Sequence, residues 1–362
     1  MSLVRFNSTD IRVQTDKLVT STWTGNTNNL AAMYTSSLQS DGDVPSSPTS
    51  SAWFYLNVYD KDPSSSAAEV QYAVAYGHKA GSGSPDFTND TGSFGMNASR
   101  TVYSQYRQLV YGEETQDFTF GTHVPNDIYV INVNRSRYKH GLSLSTLSLW
   151  ISGAREPGSG YHATEDSYIH LTDDSISSNG AAIQTNIGRQ FNIVSGASGV
   201  YTGSSAKQLG PAGGYTASYG LYYPDAGLII LNGDAFDHEG TAPYRARGLH
   251  SNYTTYEHFN NERMYNAISG GMHFIVDSEE VITSQYYFAR AKNYEFNYTN
   301  NPSFQDNNGN LTFQSMISNP KTYITTVGLY NDNSELLAVA KLSQPVAKDF
   351  TKEALFRIKL DF

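Results

Sequence analysis

Residues 234–239, with the sequence DAFDHE, form the densest group of potential metal ligands in the chain. Asp234, Asp237 and Glu239 offer carboxylate oxygens of the kind that bind calcium, and His238 adds an imidazole suited to zinc. A second histidine at metal-ligand spacing is missing, and so is the spacing of an EF-hand loop. A solvated acidic loop is therefore the favoured interpretation, and the sequence predicts no metal ion.

Serine and glycine motifs do not have the spacing of a nucleophile or a phosphate-binding loop. Ser198 lies in Gly-Ala-Ser-Gly and lacks the G-x-S-x-G pattern of a nucleophile elbow. Residues 158–160, Gly-Ser-Gly, lack the preceding strand and the following helix that a dinucleotide site requires. Both segments are predicted to be turns, and no cofactor is predicted.

Two groups of acidic residues could supply acid–base chemistry. Glu113, Glu114 and Asp117 offer half of the carboxylate pair that glycoside hydrolysis needs, with the two acids about 5–10 Å apart. The sequence places no partner for them. Asp173 and Asp174 follow a strand, where a role in a turn is the commoner one. We therefore predict that the protein is not an enzyme.

Five residues are candidates for contacts with other subunits. Arg135 and Arg137 are two apart, so on an extended segment both point the same way and could clamp a carboxylate of a neighbouring subunit. An internal ion pair that closes the loop is the alternative, and the sequence does not decide between the two. Tyr138 belongs to the same basic segment, His78 directly follows a strand, and Phe362 ends the last strand.

The composition predicts the elements that position these residues. The chain has 362 residues, of which 39% are hydrophobic and 16% charged, and it contains 27 tyrosines. Aromatic and β-branched residues favour strands, whereas the strong helix formers are scarce in this chain. We predict a mainly β fold with antiparallel sheets in a β-sandwich-like arrangement, one or two short helices and long loops.

Charge, hydropathy and cysteine content argue against several classes of protein. The formal net charge is −10, and no dense cluster of lysine and arginine occurs, which argues against a nucleic-acid partner. No run of about 20 apolar residues predicts a membrane span, and the first residues lack the apolar stretch of a signal peptide. The absence of cysteine fits assembly in a reducing cytoplasm.

Apolar periodicity and turn residues divide the chain into segments. The predicted strands before residue 300 are 20–24, 52–59, 69–76, 127–133, 147–152, 168–171, 191–194, 221–223, 228–232, 273–276 and 281–296. Segment 127–133 is apolar enough to be a central strand. The predicted helices are 99–110 and 255–269. The predicted long loops are 36–51, 78–97 and 232–250, and loops of such length are often functional or form contacts.

The last 40 residues have the clearest pattern. Residues 322–330 and 335–342 are predicted to form a hairpin around the Asn-Asp-Asn-Ser turn. Pro345 is predicted to break the second strand. Residues 354–362 alternate between apolar and charged positions, which predicts a half-buried closing strand.

The domain organisation is less clearly marked. A boundary after residue 270 gives a β-rich main domain, 1–270, and a C-terminal antiparallel module, 271–362. Hairpin partners could cross that boundary, so a single domain remains the alternative.

Several segments resemble a known family. They are 16–24 (DKLVTSTWT), 73–78 (AVAYGH), 127–138 (DIYVINVNRSRY), 295–302 (EFNYTNNP) and 323–362. These segments are similar to virion structural proteins of large contractile-tailed bacteriophages, notably those that infect marine cyanobacteria. The resemblance is strongest after residue 274, does not extend over 172–250, and brings no catalytic residues with it.

The resemblance implies a virion component, associated with the tail or baseplate, that assembles in the host cytoplasm. Its partners would be other virion proteins of the tail, baseplate or neck, together with copies of itself in a symmetric oligomer. Two alternatives stay open: a glycan-binding tail-fibre module for receptor recognition, and a head–neck or capsid decoration protein.

Overall fold

The computed structural model describes residues 4–35, 55–81, 99–113, 115–154, 167–177, 182–201, 218–236, 245–246, 260–299 and 301–361. The chain divides into two compact units. The middle unit is Leu18–Glu280, and the terminal unit joins Met1–Lys17 to Val281–Phe362. The terminal unit thus takes in both ends of the chain, whereas the sequence suggests a boundary at residue 270.

The middle unit contains a 12-stranded sheet that is curled into a half-barrel. Its strands are β2 (Tyr55–Tyr59), β3 (Val70–His78), β4 (Asp127–Val133), β6 (Ser148–Ala154), β7 (Ser167–Asp173), β8 (Ile183–Thr185), β9 (Gly188–Ala197), β10 (Val200–Tyr201), β11 (Gly220–Tyr223), β12 (Leu228–Asn232), β13 (Arg245–Ala246) and β14 (Phe274–Ile275). The strand order is β13-β6-β7-β9-β11-β12-β4-β3-β2, with β8 and β10 paired to β9 and β14 paired to β6. The mainly β, antiparallel fold class is confirmed.

The strand β4 lies inside this sheet, between β12 and β3, as its apolar sequence predicts. Successive side chains of a strand point to opposite faces, and both faces of β4 are covered. Tyr129 and Ile131 belong to one apolar core, while Ile128 and Val130 belong to a second core on the other face. Burial on both faces explains why this strand is continuously apolar.

Two helices cover the middle unit's sheet. Helix α1 (Ser99–Tyr111) coincides with the predicted helix and packs on β3, where a Cβ added to Gly77 would lie 3.0 Å from the backbone of Tyr103. Helix α2 (Asn260–Gly271) begins inside the second predicted helix, 255–269, and continues two residues beyond it. It packs on β6, and Gly271 is so close that an added Cβ would lie 2.1 Å from the Trp150 carbonyl oxygen.

The terminal unit is built from a different sheet and a hairpin. Strands β1 (Ile11–Ser21), β15 (Asp277–Ala291) and β18 (Ala354–Asp361) pair in the order β1-β15-β18. β5 (Gly141–Leu142) belongs to the middle unit and pairs with Ser278 and Glu279 of the same unit. Strands β16 (Thr322–Tyr330) and β17 (Leu336–Lys348) form a separate two-stranded sheet, and α3 (Gln314–Ser318) precedes them. The predicted closing strand is confirmed, because half-buried and exposed side chains alternate along β18.

Pro345 does not break the second strand of the hairpin, so that prediction is wrong. β17 continues through Pro345 to Lys348. The pairing register with β16 shifts between Ile324 and Thr326, which places Pro345 at an irregularity in the ladder. A proline has no N–H to donate, and an irregular position does not require one.

The first strand also differs from the prediction. The sequence predicts a strand at 20–24, but β1 runs over Ile11–Ser21, and Trp23 makes an isolated bridge to Thr27. β1 is exposed along nearly its whole length, so it lacks the apolar alternation that marks a half-buried strand. The predicted loops 36–51, 78–97 and 232–250 lie largely outside the described residues.

Candidate functional site

The segment that holds Arg135 and Arg137 is not extended, so the prediction that both side chains point the same way is wrong. Arg135–Arg137 is a 3-10 turn, and the Asn134 side chain caps it by accepting a hydrogen bond from the Ser136 N–H at 3.0 Å. Three residues per turn replace the two-residue period of a strand, so the two guanidinium groups diverge.

The two arginines therefore have separate partners within the chain. Arg137 Nη1 lies 2.8 Å from a carboxylate oxygen of Glu69 and donates to the Thr24 hydroxyl at 2.5 Å. Arg135 donates to the Tyr138 carbonyl oxygen at 2.7 Å, and its guanidinium lies 4.7 Å from the centre of the Tyr138 ring. The geometry corresponds to the internal ion pair rather than to a clamp for a neighbouring subunit.

Tyr138 and His78 lie in the interior of the middle unit. Tyr138 is 6% exposed, and burial raises the pKa of its hydroxyl. His78 is 4% exposed, and its Nδ1 accepts a hydrogen bond from the Ala80 N–H at 3.1 Å. Burial disfavours the charged imidazole and lowers the pKa of His78 to about 4. Neither side chain offers surface to a neighbour, and Phe362 lies outside the described residues.

Asp117 and Asp234, two of the acidic residues considered for catalysis or metal binding, have partners within the chain. Asp117 forms ion pairs with Lys79 and Arg107. Asp234 lies 2.7 Å from His123 Nε2. Glu114 and residues 237–239 lie outside the described residues. Within the described part of the chain, no group of three or more His, Asp or Glu side chains is placed to hold a metal ion.

Of the remaining predicted turns, the one at Ser198 is confirmed, Asp173 is the last residue of β7, and residues 158–160 lie outside the described residues. The buried Asp173 accepts hydrogen bonds from the Ser145 and Ser175 N–H groups, although burial raises the pKa of its carboxyl. Ser198 and Gly199 both have positive φ, 52° and 74°, and form the two-residue turn between β9 and β10. Turns of this kind match the right-handed twist of a hairpin.

An exposed apolar face on the hairpin β16–β17 is a candidate contact surface that the sequence did not single out. We call it the open hairpin face, and it is formed by Ile324, Gly328, Tyr330, Leu336, Val339 and Val346. Cross-strand register places Val339 opposite Gly328, Leu336 opposite Tyr330 and Val346 opposite Ile324, so all six share one side. Leu336 is 55% exposed and Val339 63% exposed.

The other side of the same hairpin is better covered. Leu329 is 7% exposed, and Val327, Ala338 and Ala340 are half-buried. A hairpin with one covered face normally presents polar residues on the other. Here the apolar residues occupy both phases of the alternation, which was the signal in the sequence for a second contact surface.

A second feature missed from the sequence is a serine held between two histidines. The Ser148 hydroxyl oxygen lies 2.6 Å from His170 Nε2 and 2.8 Å from His273 Nε2. The Trp150 ring stacks against His273, with 4.6 Å between ring centres and 34° between ring planes. Burial lowers the pKa of both histidines, and the neighbouring His273 contributes to the shift at His170.

This cluster is invisible in the sequence because strand pairing assembles it. His170 and His273 are 22 and 125 residues from Ser148. One feature of the sequence could have indicated the cluster. Side chains alternate along β6, so Ser148, Trp150 and Ser152 share the side opposite the core residues Leu149 and Ile151.

Comparison with protein-family models gave no match, and neither the curated proteins nor the solved structures gave a significant match to this chain. Among the helices in the described residues, none is long and apolar enough to cross a membrane.

Proposed function

We propose that this chain is a structural component of a tailed-phage virion, associated with the tail or baseplate, that works by protein–protein contacts. The observation that carries the assembly role is the open hairpin face of the terminal unit. The virion setting comes from the sequence resemblance, which includes residues 323–362 and therefore this hairpin.

The exposed side chains on the hairpin favour burial against another protein. Leu336, Leu337 and Val339 expose 55%, 68% and 63% of their surface and are neighbours on one strand. Burying a Leu or Val side chain contributes about 1.5–3 kcal/mol. Contiguous apolar patches of this kind mark contact sites more often than isolated exposed residues do.

The strand edges of the hairpin add a second means of association. β16 and β17 form a two-stranded sheet, so within the described residues neither strand has another strand on its outer side. An outer edge presents main-chain donors and acceptors to an incoming strand. Edge pairing would fix the register of a contact that the apolar face stabilises.

The partner that we propose for this face is a second copy of the chain. The side of the hairpin that carries the open hairpin face has no acidic residue among its paired positions, and Thr326 opposite Lys341 is a polar pair on that side. An apolar face can match itself across a twofold axis, since both copies then present the same surface. A stable contact needs about 800 Å² from each copy, and Leu337, which is 68% exposed and directly follows Leu336, can extend it.

Sedimentation equilibrium of the full chain tests the contact. We expect reversible self-association that Leu336→Thr and Val339→Thr together weaken by roughly tenfold or more, because 1.4 kcal/mol is a tenfold change in affinity. The control is Ile183→Thr in β8, where an isoleucine is 59% exposed in the middle unit. A chain that stays monomeric at its highest soluble concentration, or an association that the hairpin variant leaves unchanged, would contradict the proposal.

The virion setting has its own test. Mass spectrometry of purified phage particles from a lysate that expresses this chain should find it in fixed ratio to the tail proteins, and antibody labelling should place it on the tail or baseplate. Labelling on the capsid would favour the head-decoration alternative. Absence from purified particles would exclude a virion role and leave the self-association result intact.

A further inference from the structure

We propose that a cavity between helix α1 and the sheet of the middle unit binds one neutral sugar ring, such as the terminal residue of a glycan. The cavity has a volume of about 250 Å³ and opens to solvent. All of its described lining residues belong to the middle unit. The site is therefore separate from the open hairpin face, and its test does not depend on self-association.

Small side chains on β3 leave the space for this cavity. Ala73, Ala75 and Gly77 lie at every second position of the strand and share one face, which helix α1 covers. At Gly77 the helix is close, since an added Cβ would lie 3.0 Å from the Tyr103 backbone. Beside this contact, the methyl groups of the two alanines leave a space unfilled, and Val102 of the helix lines it. The floor of the cavity is therefore apolar.

Strand pairing brings one tyrosine and one asparagine to the rim of this floor. Tyr55 of β2 pairs with Ala75, and Asn132 of β4 pairs with Ala73. Directly paired residues share a face of the sheet, so both side chains project beside the alanines. Tyr55 is 40% exposed, and Asn132 is the one exposed residue of β4, whose other six residues are buried. An exposed amide on an interior, otherwise apolar strand marks the place where the sheet is open to solvent.

Helix α1 supplies the opposite wall. Gln105 and Tyr106 line the cavity from the helix, and Gln105 is exposed. The Tyr106 hydroxyl is hydrogen-bonded to the Asn132 side chain, which joins the helix to the strand at this point. A carboxamide has two N–H donors and an oxygen with two lone pairs, so one bond to Tyr106 leaves Asn132 able to bind a ligand as well.

The lining selects a neutral ligand with an apolar face and a polar edge. Among the described residues that line the cavity, none is charged, so an ionic ligand would lose its hydration without gaining a counter-charge. The alanine floor and the Tyr55 ring suit C–H groups, and the carboxamides of Gln105 and Asn132 suit hydroxyl groups. A sugar ring combines both, with C–H groups on its faces and hydroxyls around its edge.

The size of the cavity limits the ligand to a single ring. Pockets for drug-sized ligands have volumes of about 300–1,000 Å³, and the volume of about 250 Å³ lies below this range. The remainder of a longer glycan would extend into solvent through the opening. Few contacts in an open cavity correspond to weak binding, with a dissociation constant on the order of 1 mM.

Saturation-transfer difference NMR on the full chain is the first test, with glucose, galactose, mannose and N-acetylglucosamine as probes. We expect ring C–H signals from at least one of these sugars, with affinity reduced roughly fivefold or more by Tyr55→Ala. Gln105→Ala should also weaken binding, and both side chains are exposed, so their removal should leave the fold intact. Tyr168→Ala is the matched control, since Tyr168 is a 43% exposed tyrosine of the middle unit outside the cavity.

A second measurement needs no variant and so does not depend on how the variants fold. The sugar that binds should slow hydrogen exchange of the amides of residues 102–106 in the full chain. Sorbitol, an open-chain polyol without a ring, should leave this exchange unchanged. The proposal would be overturned by the absence of signal from all four sugars at concentrations far above the expected dissociation constant. Binding that both cavity variants leave unchanged, an equal loss in Tyr168→Ala, or equal protection by sorbitol would also overturn it.

Discussion

The two units of the chain are stabilised in different ways. The middle unit buries two apolar cores, one on each face of its sheet, and residues such as Leu231 and Ile131 are fully inaccessible. In the terminal unit after residue 280, the buried apolar residues in the described part are Ala291, Met316 and Leu329. The middle unit thus has the core of an independently stable domain, while the terminal unit has little core of its own.

Polar contacts replace part of the missing core in the terminal unit. Lys348 is fully buried, and its ammonium donates to the carbonyl oxygens of Asn293 and Asp349 and to the side-chain oxygen of Asn297, at 2.9–3.1 Å. Three acceptors satisfy the three donors of a lysine. The proposed contact with another copy would cover exposed apolar residues of a unit that has little core of its own.

Removal of the closing strand should have the largest effect. Deleting residues 356–362 takes away Phe356, Ile358 and Leu360, which are half-buried on the strand that pairs with β15. We expect no soluble folded protein, measured as soluble yield and circular dichroism, because each large apolar residue contributes about 1.5–3 kcal/mol. Leu355→Ser on the exposed side of β18 is the control. Soluble, assembly-competent truncated protein would show instead that the segment is an arm bound to a neighbour.

The same substitution placed in both units gives the most direct contrast in stability. Leu231→Ala in the core should lower the free energy of unfolding by about 3–4 kcal/mol, through lost burial and a cavity. Leu336→Ala on the open hairpin face should change it by less than about 0.5 kcal/mol in dilute protein. Urea unfolding followed by fluorescence measures both. Equal losses would mean that the hairpin is packed within a single chain.

Lys348 should contribute more to the stability of the terminal unit than an exposed lysine does, because its ammonium group is buried. Lys348→Met leaves three buried oxygens without their donor, which should cost about 2–3 kcal/mol. Lys352→Met, an exposed lysine four residues later, is the matched control and should be nearly neutral. Hydrogen exchange of the amides around Asn293 and Asn297 reports the local effect. Unchanged exchange there would show that the ammonium does not hold this segment.

Acid should destabilise the middle unit through His78. Its folded pKa of about 4 lies below the ordinary value of 6.5, so the unfolded chain binds the proton more readily between these values. Stability is therefore complete above pH 6.5 and falls as the pH drops toward 4, by about 2 kcal/mol at pH 4.5. His78→Asn should flatten the decline in melting temperature between pH 7 and 4.5, whereas His140→Asn should reproduce the wild-type slope. A wild-type slope in His78→Asn would contradict burial as the cause.

The sequence predicted strands and helices correctly where one side of the element is buried, because burial imposes a regular spacing on the apolar residues. β4, β12 and β18 and helix α1 lie where apolar periodicity placed them. The exposed edge strand β1 was largely missed, because a strand that buries little need not alternate. Pro345 was misinterpreted, since a local rule cannot anticipate the irregular pairing of β16 with β17.

The candidate sites were harder to predict than the fold. The sequence predicts an extended backbone at Arg135 and Arg137, whereas the 3-10 turn found there gives the two side chains different directions. The contacts around Ser148 depend on the pairing of β6 with two strands that are distant in sequence. Long-range register is the information that a single sequence lacks.

Hydrogen exchange at increasing protein concentration follows both units in one sample. It therefore tests most directly whether the middle unit is stable by itself while the hairpin of the terminal unit is protected by another copy. If the hairpin joins copies of the chain, protection of the β16 and β17 amides should rise with concentration. Protection of the β4 and β12 amides should be high and constant throughout. Hairpin amides whose exchange does not change with concentration, in protein that remains folded, would contradict the account.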